Sequence, residues 1–472
     1  MKKLSKISNG VHFIGIGGIG VSALARYYLK RGDTVSGSDL ASSEITKDLE
    51  KLGAKIHIGP HSAKNVPNIV DLVIYSPAVR PTNPEYVRAK KLKIENCKLK
   101  ICSYPQALGE LTKQYFTIAV SGTHGKSTTT AMLGILLEKA GLDPTVIVGT
   151  KIREFGDSNF RMGGKVVTSN SQPATSNQIP DTSYLVIEAD EHFASFLNYW
   201  PKILVLTNIE ADHLDYYKNL NNILKTFKKY ISHLPKDGYL VINGDDKNIK
   251  RIINNDQLTI NKSRINKYGF SQAKDVKRLR KIMKIPGDHN IMDALSALAV
   301  ARILKIPDKI SFKALSEYKG AWRRFDISKI TVNKKQITLI NDYAHHPTKV
   351  RVTLKAAREK YPKGKIWCIY QPHQYQRTYY LFKDFVKVFK DAPVDKLIIT
   401  DIFDVAGRET PEVSKKVSSE KLVKTIGRKN TIYLPKDKII DYLNTNLKGK
   451  EVVILMGAGN IYNLSARLKE KP

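Results

Sequence analysis

The sequence predicts an α/β protein of three domains in series, each a mainly parallel sheet flanked by helices. Three observations predict it. Short β-branched runs recur along the chain and alternate with helical patterns, the signature of parallel sheets. Two runs end in glycine-rich turns of different kinds, Gly15-Ile16-Gly17-Gly18-Ile19-Gly20 and Gly122-Thr123-His124-Gly125-Lys126-Ser127. A length of 472 residues exceeds what one hydrophobic core holds. The expected division is 1–112, Rossmann-like; 113–318, a central P-loop-type parallel sheet; and 319–472, a second Rossmann-like α/β unit.

The first domain opens with the strand Val11-His12-Phe13-Ile14, which runs into the Gly15 turn and a helix from about Val21 to Leu29. Gly15, Gly17 and Gly20 have dinucleotide-fold spacing, and Gly18 lies between them. A second strand, Thr34 to Ser38, ends in Asp39, about where a ribose hydroxyl is met in that fold. The turn is a diphosphate site at a helix N-terminus, or else only a tight packing turn. The strand Asp71 to Tyr75 leads into Ser76-Pro77-Ala78 on the same rim.

The second domain begins with the apolar run Thr117 to Ser121, then Gly122-Thr123-His124-Gly125-Lys126-Ser127-Thr128 and a helical pattern through Met132, Leu133, Leu136 and Leu137. Gly122 and Gly125 allow a tight turn whose N–H groups face anionic oxygens. Lys126 supplies a cation for phosphate, and the Ser127 hydroxyl is placed for Mg²⁺. Val120 stands where the usual pattern has a first glycine. The reading is a nucleoside triphosphate site for ATP; a plain glycine turn before a helix is the alternative. Tyr184 to Ile187 is a buried-type strand ending in Glu188-Ala189-Asp190-Glu191, a position suited to holding Mg²⁺. Ile203 to Ile209 is followed by Glu210-Ala211-Asp212-His213, where His213 is a metal ligand or a surface histidine. Tyr239 to Ile242 is another strand, residues 247–284 carry little signal, and His289-Asn290 opens a strong helix through Leu304. Asn290 is an N-cap or a nucleotide contact.

Lys319 to Phe325 looks like a hinge carrying Arg323 and Arg324. The third domain alternates strands and helices again. Ile337 to Asn341 ends in Asp342, followed by Tyr343-Ala344-His345-His346, and Pro347 starts a helix. Ile366 to Tyr370 leads to Gln371-Pro372-His373 and Arg377; Leu397 to Asp401 and Val452 to Met456 are further strands.

The formal net charge is +34. The lysines are spread and the dense clusters short, without interleaved aromatics, so they read as solvated surface and no nucleic acid partner is expected. No apolar run is long enough to span a bilayer, so no membrane association is expected. Met1-Lys2-Lys3 is followed by mixed polar residues rather than a secretory signal. Cys97, Cys102 and Cys368 read as reduced thiols, and the expected compartment is the cytoplasm.

In this order the motifs resemble one family, the ATP-dependent Mur ligases, over essentially the whole chain. The resemblance rests on the Gly15 turn, Ser36-Gly37-Ser38-Asp39, the Lys126 loop, Glu188-Ala189-Asp190-Glu191, Thr207 to Asp215, Arg323-Arg324-Phe325, Asp342 to Pro347, Gln371-Pro372-His373 and Gly457-Ala458-Gly459-Asn460. It implies joining the carboxylate of UDP-N-acetylmuramate to L-alanine through an acyl phosphate, in peptidoglycan precursor synthesis. It implies that Gly15, Gly17, Gly18, Gly20, Asp39, Ser76, Pro77 and Ala78 bind the UDP-sugar, and that Lys126 holds the β- and γ-phosphates. Gly122, Thr123, His124, Gly125 and Thr128 complete the phosphate loop. Ser127 and Glu188 would hold one Mg²⁺ and His213 a second. His289 and Asn290 would meet the adenine end, and Arg324 and Asp342 phosphate and ribose. Tyr343, His345, His373 and Arg377 would shape the amino-acid side. Lys126, Glu188, His213 and Arg324 are the implied catalytic set, in a monomer or homodimer.

The chain departs from the family pattern at Ser127 for threonine, Asp293 for asparagine, His192-Phe193 for Ser-Asp, Lys349 for glutamate and Gln374 for arginine. Asp293 is expected to add a negative charge near the nucleotide, which would weaken ATP binding or change a metal contact. Three rival readings carry their own tests. A ligase that joins a preformed peptide would accept a tripeptide. A nucleotide-switched nucleic-acid-binding protein would show salt-sensitive DNA binding. A nicotinamide dehydrogenase would bind NAD, but it leaves the Lys126 loop without a purpose.

Overall fold

The computed structural model describes residues 10–164, 183–253, 260–404 and 411–469; the Met1-Lys2-Lys3 start lies outside them. Strands β1 (Val11–Ile14), β2 (Val35–Asp39), β3 (Lys55–Ile58), β4 (Leu72–Tyr75) and β5 (Lys100–Ser103) form the first sheet, in the order β3-β2-β1-β4-β5. All its pairings are parallel. The order reverses beside β1, so the crevice at the carboxyl ends of β1 and β4 lies at the switch point where ligands enter such sheets.

Strands β6 (Phe116–Ser121), β7 (Thr145–Ile152), β8 (Ser158–Arg161), β9 (Tyr184–Glu188), β10 (Ile203–Leu206), β11 (Tyr239–Asn243) and β12 (Ile265–Tyr268) build the central sheet. Its order is β12-β11-β10-β6-β9-β7-β8, with only β7 and β8 antiparallel. The middle strands β6, β9 and β10 are buried over most of their length, β10 at all four positions, because both faces of the sheet are covered. Helices Lys126–Lys139, Asp288–Ile303 and Asp308–Glu317 pack on one face. On the other face a single hydrophobic cluster continues from the first sheet into the central one, including Val11, Phe13, Ala119, Ile147 and Leu204.

The third sheet contains β13 (Asp326–Val332), β14 (Lys335–Asp342), β15 (Ile366–Tyr370), β16 (Lys396–Ile399), β17 (Thr431–Tyr433) and β18 (Val452–Met456), ordered β13-β14-β18-β15-β16-β17. The β13–β14 hairpin turns at Asn333 and Lys334, both at positive φ (46° and 62°), the backbone a two-residue hairpin needs. Apolar clusters lie on both faces of this sheet.

Several elements differ from expectation at their edges. Residues 247–284 contain two helices, Lys247–Ile253 and Ala273–Ile282, and the edge strand β12. The edge strands β3, β12 and β13 are partly solvated, so their composition lacks the apolar run that marks an interior strand. Val120 is fully buried near the end of β6, so the phosphate loop makes its turn from Gly122 onward.

The three units touch through specific bonds. The Asn159 side-chain amide donates to the Ile19 carbonyl and to the Ser22 hydroxyl (3.0 Å), which ties β8 to the helix after the first glycine turn. The Lys151 ammonium pairs with Glu44 at 3.2 Å. The Trp322 amide donates to the Lys151 carbonyl (3.0 Å), and the Thr150 hydroxyl donates to the Trp322 carbonyl (2.9 Å), so the segment entering the third sheet lies along β7. Among the described residues, no helix is long and apolar enough to cross a membrane.

Candidate functional site

The carboxyl ends of β6, β9 and β10 carry the chemistry, since their strands are adjacent in the sheet and deliver their loops to one rim. Gly122 has φ +131°, and a Cβ there would overlap the Thr207 hydroxyl, so the close approach of the β10 loop requires glycine. Gly125, at φ +82°, is the N-cap of helix Lys126–Lys139. The first N–H groups of that helix have no helical acceptors, which makes its N-terminus an anion site.

Lys126 lies over this loop. Its ammonium donates to the Gly122 carbonyl (2.7 Å) and pairs with Glu191 (2.6 Å), with Asp190 at 3.6 Å. Burial works against its charge, but Glu191, Asp190 and Glu188 together raise its pKa above the ordinary lysine value, so it is a cation at neutral pH. The Ser127 hydroxyl donates to Glu188 Oε1 (3.0 Å), and Glu188 Oε2 accepts from the Gly149 amide (2.7 Å). A hydroxyl and a carboxylate side by side at a helix N-terminus are the hard oxygen donors that suit Mg²⁺. His213, at φ +52°, places Nε2 3.9 Å from Glu191 Oε1 and stacks on His192 with ring centroids 4.2 Å apart. Burial lowers its pKa against the pull of Asp212, which favours the neutral imidazole that a metal takes as ligand.

The third unit closes onto this rim. An Arg324 Nη donates to the Ser127 hydroxyl (3.2 Å), with its guanidinium 4.7 Å from the centre of the Tyr343 ring. Arg377 donates from Nε and Nη2 to Asp212 Oδ1 (both 3.2 Å), and from Nη1 to Gln374 Oε1 (2.9 Å). Asp212 is buried, yet Arg377 beside it holds its carboxyl well below the usual range. Thr348 donates its hydroxyl to Glu210 Oε2 (2.7 Å), the same oxygen that meets His124 Nε2 at 3.2 Å.

A cavity of about 480 Å³ results, with walls from all three units. Gly18, Gly20, Ser76, Pro77 and Ala78 line it from the first sheet; Thr123, His124, Gly125, Lys126, Ser127, Thr128, Glu188 and His213 from the central one; Arg324, Tyr343, His345, His373 and Arg377 from the third. The first glycine turn and the Lys126 loop therefore face one space.

The other sequence-selected residues stand outside its wall. Gly15 and Gly17 belong to the turn but do not line the cavity, and Asp39 accepts the Gly17 amide on Oδ2 (2.8 Å), so this carboxylate braces the turn. Asp342 is buried and accepts from the Phe325 and Ala344 amides (2.8 Å each) and the Thr353 hydroxyl (3.2 Å), which fixes the β14 exit. His289 and Asn290 sit in the first turn of helix Asp288–Ile303; Asn290 is inside the helix rather than its N-cap, and its amide donates to the Pro286 carbonyl (2.6 Å). Burial pushes the His289 imidazole down to about 4, so it is neutral. A second cavity of about 440 Å³ opens beside them, lined by Arg280, Pro286, Gly287, Asp288 and Ile291 among others.

Asp293 corrects the expectation of an added negative charge. Its carboxyl lies directly beneath the phosphate loop, where a Cβ on Gly125 would overlap it. Burial pushes its pKa up to about 8, opposed by a hydrogen bond with Thr129 and by Arg324. At neutral pH it is mostly the uncharged acid, close in shape and polarity to an amide. Asp190, Glu191, Asp212 and Lys349 also face the large cavity; the sequence placed them in the motifs without singling out any of them as a site residue. The first three stand beside selected residues after β9 and β10, which was the available signal.

Models of three known domains match the chain in sequence order: Mur ligase family, catalytic domain, over residues 10–116; Mur ligase middle domain, over 120–301; and Mur ligase, glutamate ligase domain, over 323–459. A UDP-N-acetylmuramate–L-alanine ligase of Acetivibrio thermocellus is 40% identical, the match covering 98% of this chain and 96% of that protein. One of the same description from Clostridium acetobutylicum is 38% identical over 98% of each. The crystal structure of the UDP-N-acetylmuramate–alanine ligase of Thermotoga maritima superposes with a TM-score of 0.74 at 28% identity, covering 97% of this chain and 98% of that one. A murein peptide ligase from Psychrobacter arcticus shares the fold, with a TM-score of 0.68 at 23% identity over 97% and 98%.

Proposed function

The chain belongs to the Mur ligase family, and from that premise we propose how its large cavity works. The protein is an ATP-dependent ligase that forms the amide bond between the carboxylate of UDP-N-acetylmuramate and L-alanine, in peptidoglycan precursor synthesis. The single observation that supports placing the reaction here is the shared wall of the first glycine turn, the Lys126 loop and the Arg377 cluster.

The carboxylate oxygen attacks the γ-phosphorus, the bond to the ADP oxygen breaks, and an acyl phosphate forms. The alanine amine, having lost a proton from its ammonium form, attacks the acyl carbon. Phosphate leaves as the amide forms, and the nitrogen releases its second proton. Phosphoryl transfer of this kind depends on positioning and charge neutralisation. Lys126 supplies a cation at the β- and γ-phosphates, and the helix N-terminus supplies amides. Arg324, already on Ser127, adds charge from the third unit. We assign Ser127 and Glu188 to one Mg²⁺ and His213 to a second; bound there, Mg²⁺ neutralises phosphate oxygens. The seating of the third unit on the central one excludes water from the acyl phosphate. We assign His289 and Asn290 to the adenine side, next to the second cavity. We place the enzyme in the cytoplasm, as a monomer or homodimer, with domain limits at residues 112 and 318.

The test is ADP release measured with the sugar nucleotide and an amino acid, singly and together. Release should require both and be fastest with L-alanine among L-alanine, L-serine, glycine and a tripeptide. ATP hydrolysis indifferent to both substrates would overturn the assignment, and preference for the tripeptide would move it to peptide ligation.

Arg377 is expected to set the amino-acid side. Arg377→Lys keeps one cation but loses the planar fork, and it should raise the KM for L-alanine about 10-fold or more while the KM for ATP stays within about 2-fold. Steady-state kinetics with each substrate varied in turn decide this; a change confined to ATP would place Arg377 elsewhere.

A further inference from the structure

We propose that Lys349 is a catalytic residue that donates hydrogen bonds to the non-bridging oxygens of the phosphoryl group in transit, joining Lys126 and Arg324 on it. The inference deepens the ligase reading and rests on it for the identity of the phosphoryl acceptor.

Lys349 lies in the first turn of helix Pro347–Lys360, four residues after His345, and its side chain faces the large cavity. The other cations there are already engaged: Lys126 with Glu191, Arg377 with Asp212, and Arg324 with the Ser127 hydroxyl. Among the described residues, Lys349 makes no ion pair and no side-chain hydrogen bond. Lys349 is half-buried, and an ammonium partly withdrawn from water with no anion beside it is costly, so such a group persists where an anion comes to it.

Its surroundings fit that role. Arg324 and Lys126 act on it as like charges from the third and central units; Asp212 and Glu191 oppose them; His124 and His345 are also close enough to feel its charge. Burial, with Arg324 and Lys126, holds the ammonium down to about 7. A phosphoryl group arriving among these cations reverses the balance and draws a proton onto Lys349. No covalent bond to Lys349 forms or breaks; the ammonium neutralises charge that spreads over the phosphoryl oxygens as the bond to ADP lengthens.

Two measurements on the full-length protein test this. In steady-state ADP release, Lys349→Met should lower kcat about 30-fold or more while the KM for ATP stays within about 3-fold, and Lys349→Arg should recover at least about 10-fold of the loss. In titration calorimetry at pH 7.5, run in two buffers of different ionisation enthalpy without sugar nucleotide, wild type should take up roughly 0.7 proton on binding MgATP. MgADP, lacking the γ-phosphoryl group, should draw far less, and Lys349→Met should take up about half a proton less than wild type on MgATP, the remainder coming from Asp293. Equal proton uptake in wild type and Lys349→Met, or a kcat unchanged by the substitution, overturns the proposal. If wild type shows no ADP release that depends on both substrates, the ligase reading fails, while the calorimetric comparison still decides whether Lys349 meets the γ-phosphoryl group.

Discussion

Lys126→Ala is expected to lower ADP release by about 10³-fold or more, with the sheets intact. The size follows from what the side chain does. It is the one lysine on the phosphate loop itself, largely but not wholly withdrawn from water (side chain 11% exposed) and kept charged by Glu191, Asp190 and Glu188. When the nucleotide enters, this cation is positioned to leave Glu191 for the phosphates, so the loss falls on both binding and transfer. A second consequence is structural. Glu191, with a side chain only 4% exposed, loses its partner at 2.6 Å. Orphaning a buried ion costs about 3–5 kcal/mol unless the group neutralises, and protonation of Glu191 is the cheaper route. The variant should therefore keep its far-ultraviolet circular dichroism and melt a few degrees lower. Near-normal turnover would mean that the loop is only a turn before a helix.

Asp293→Asn is expected to stabilise the protein, and more so as pH rises. Asp293 lies beneath Gly125, with Thr129 as its side-chain partner and Arg324 as the nearby cation. The Tyr268 and Tyr318 hydroxyls also feel its charge. Its folded-state pKa of about 8 lies above the ordinary carboxyl value. Below pH of about 4 the acid is protonated whether folded or unfolded, and it costs nothing. Between that point and about 8 the unfolded chain releases the proton and the folded chain retains it, so stability is lost at roughly 1.4 kcal/mol per pH unit. Above about 8 both forms are ionised and the penalty is constant. The amide has no such penalty. The melting temperature of Asp293→Asn should exceed wild type by several degrees at pH 7.5, and the difference should vanish near pH 4. A gain that is flat with pH would show that Asp293 ionises normally. The same carboxyl faces the loop that we assign to phosphate, so above pH of about 8 wild-type affinity for ATP should fall more steeply than that of Asp293→Asn, which keeps only the dependence due to Lys349.

Much of this molecule was legible before any coordinates. Interior strands such as β10, β15 and β18 announce themselves as unbroken apolar runs because parallel strands covered on both faces have no polar side. The glycine turns were equally plain, since Gly122 and Gly125 occupy backbone conformations that other residues avoid. The edge strands β3, β12 and β13 were not legible, because a half-solvated strand looks like a loop in composition. Hydrogen-bond partners were not legible either. Asp39 braces Gly17, Asp342 holds the amides after β14, and Asn290 bonds back to Pro286, partners that a position at a strand or helix end does not reveal.

The sequence by itself determined which residues stand at the ends of which strands, since alternation and turn chemistry are local and survive without neighbours. What only the tertiary structure decided is which of those ends share a space. The seating of β8 on the helix after the first glycine turn, and of Thr348 on Glu210, put residues hundreds of positions apart around one cavity. It also decided charge state. The same burial that leaves Asp293 an acid and Lys349 poised between amine and ammonium comes from packing by distant segments, and desolvation is a property of the surroundings rather than of the residue.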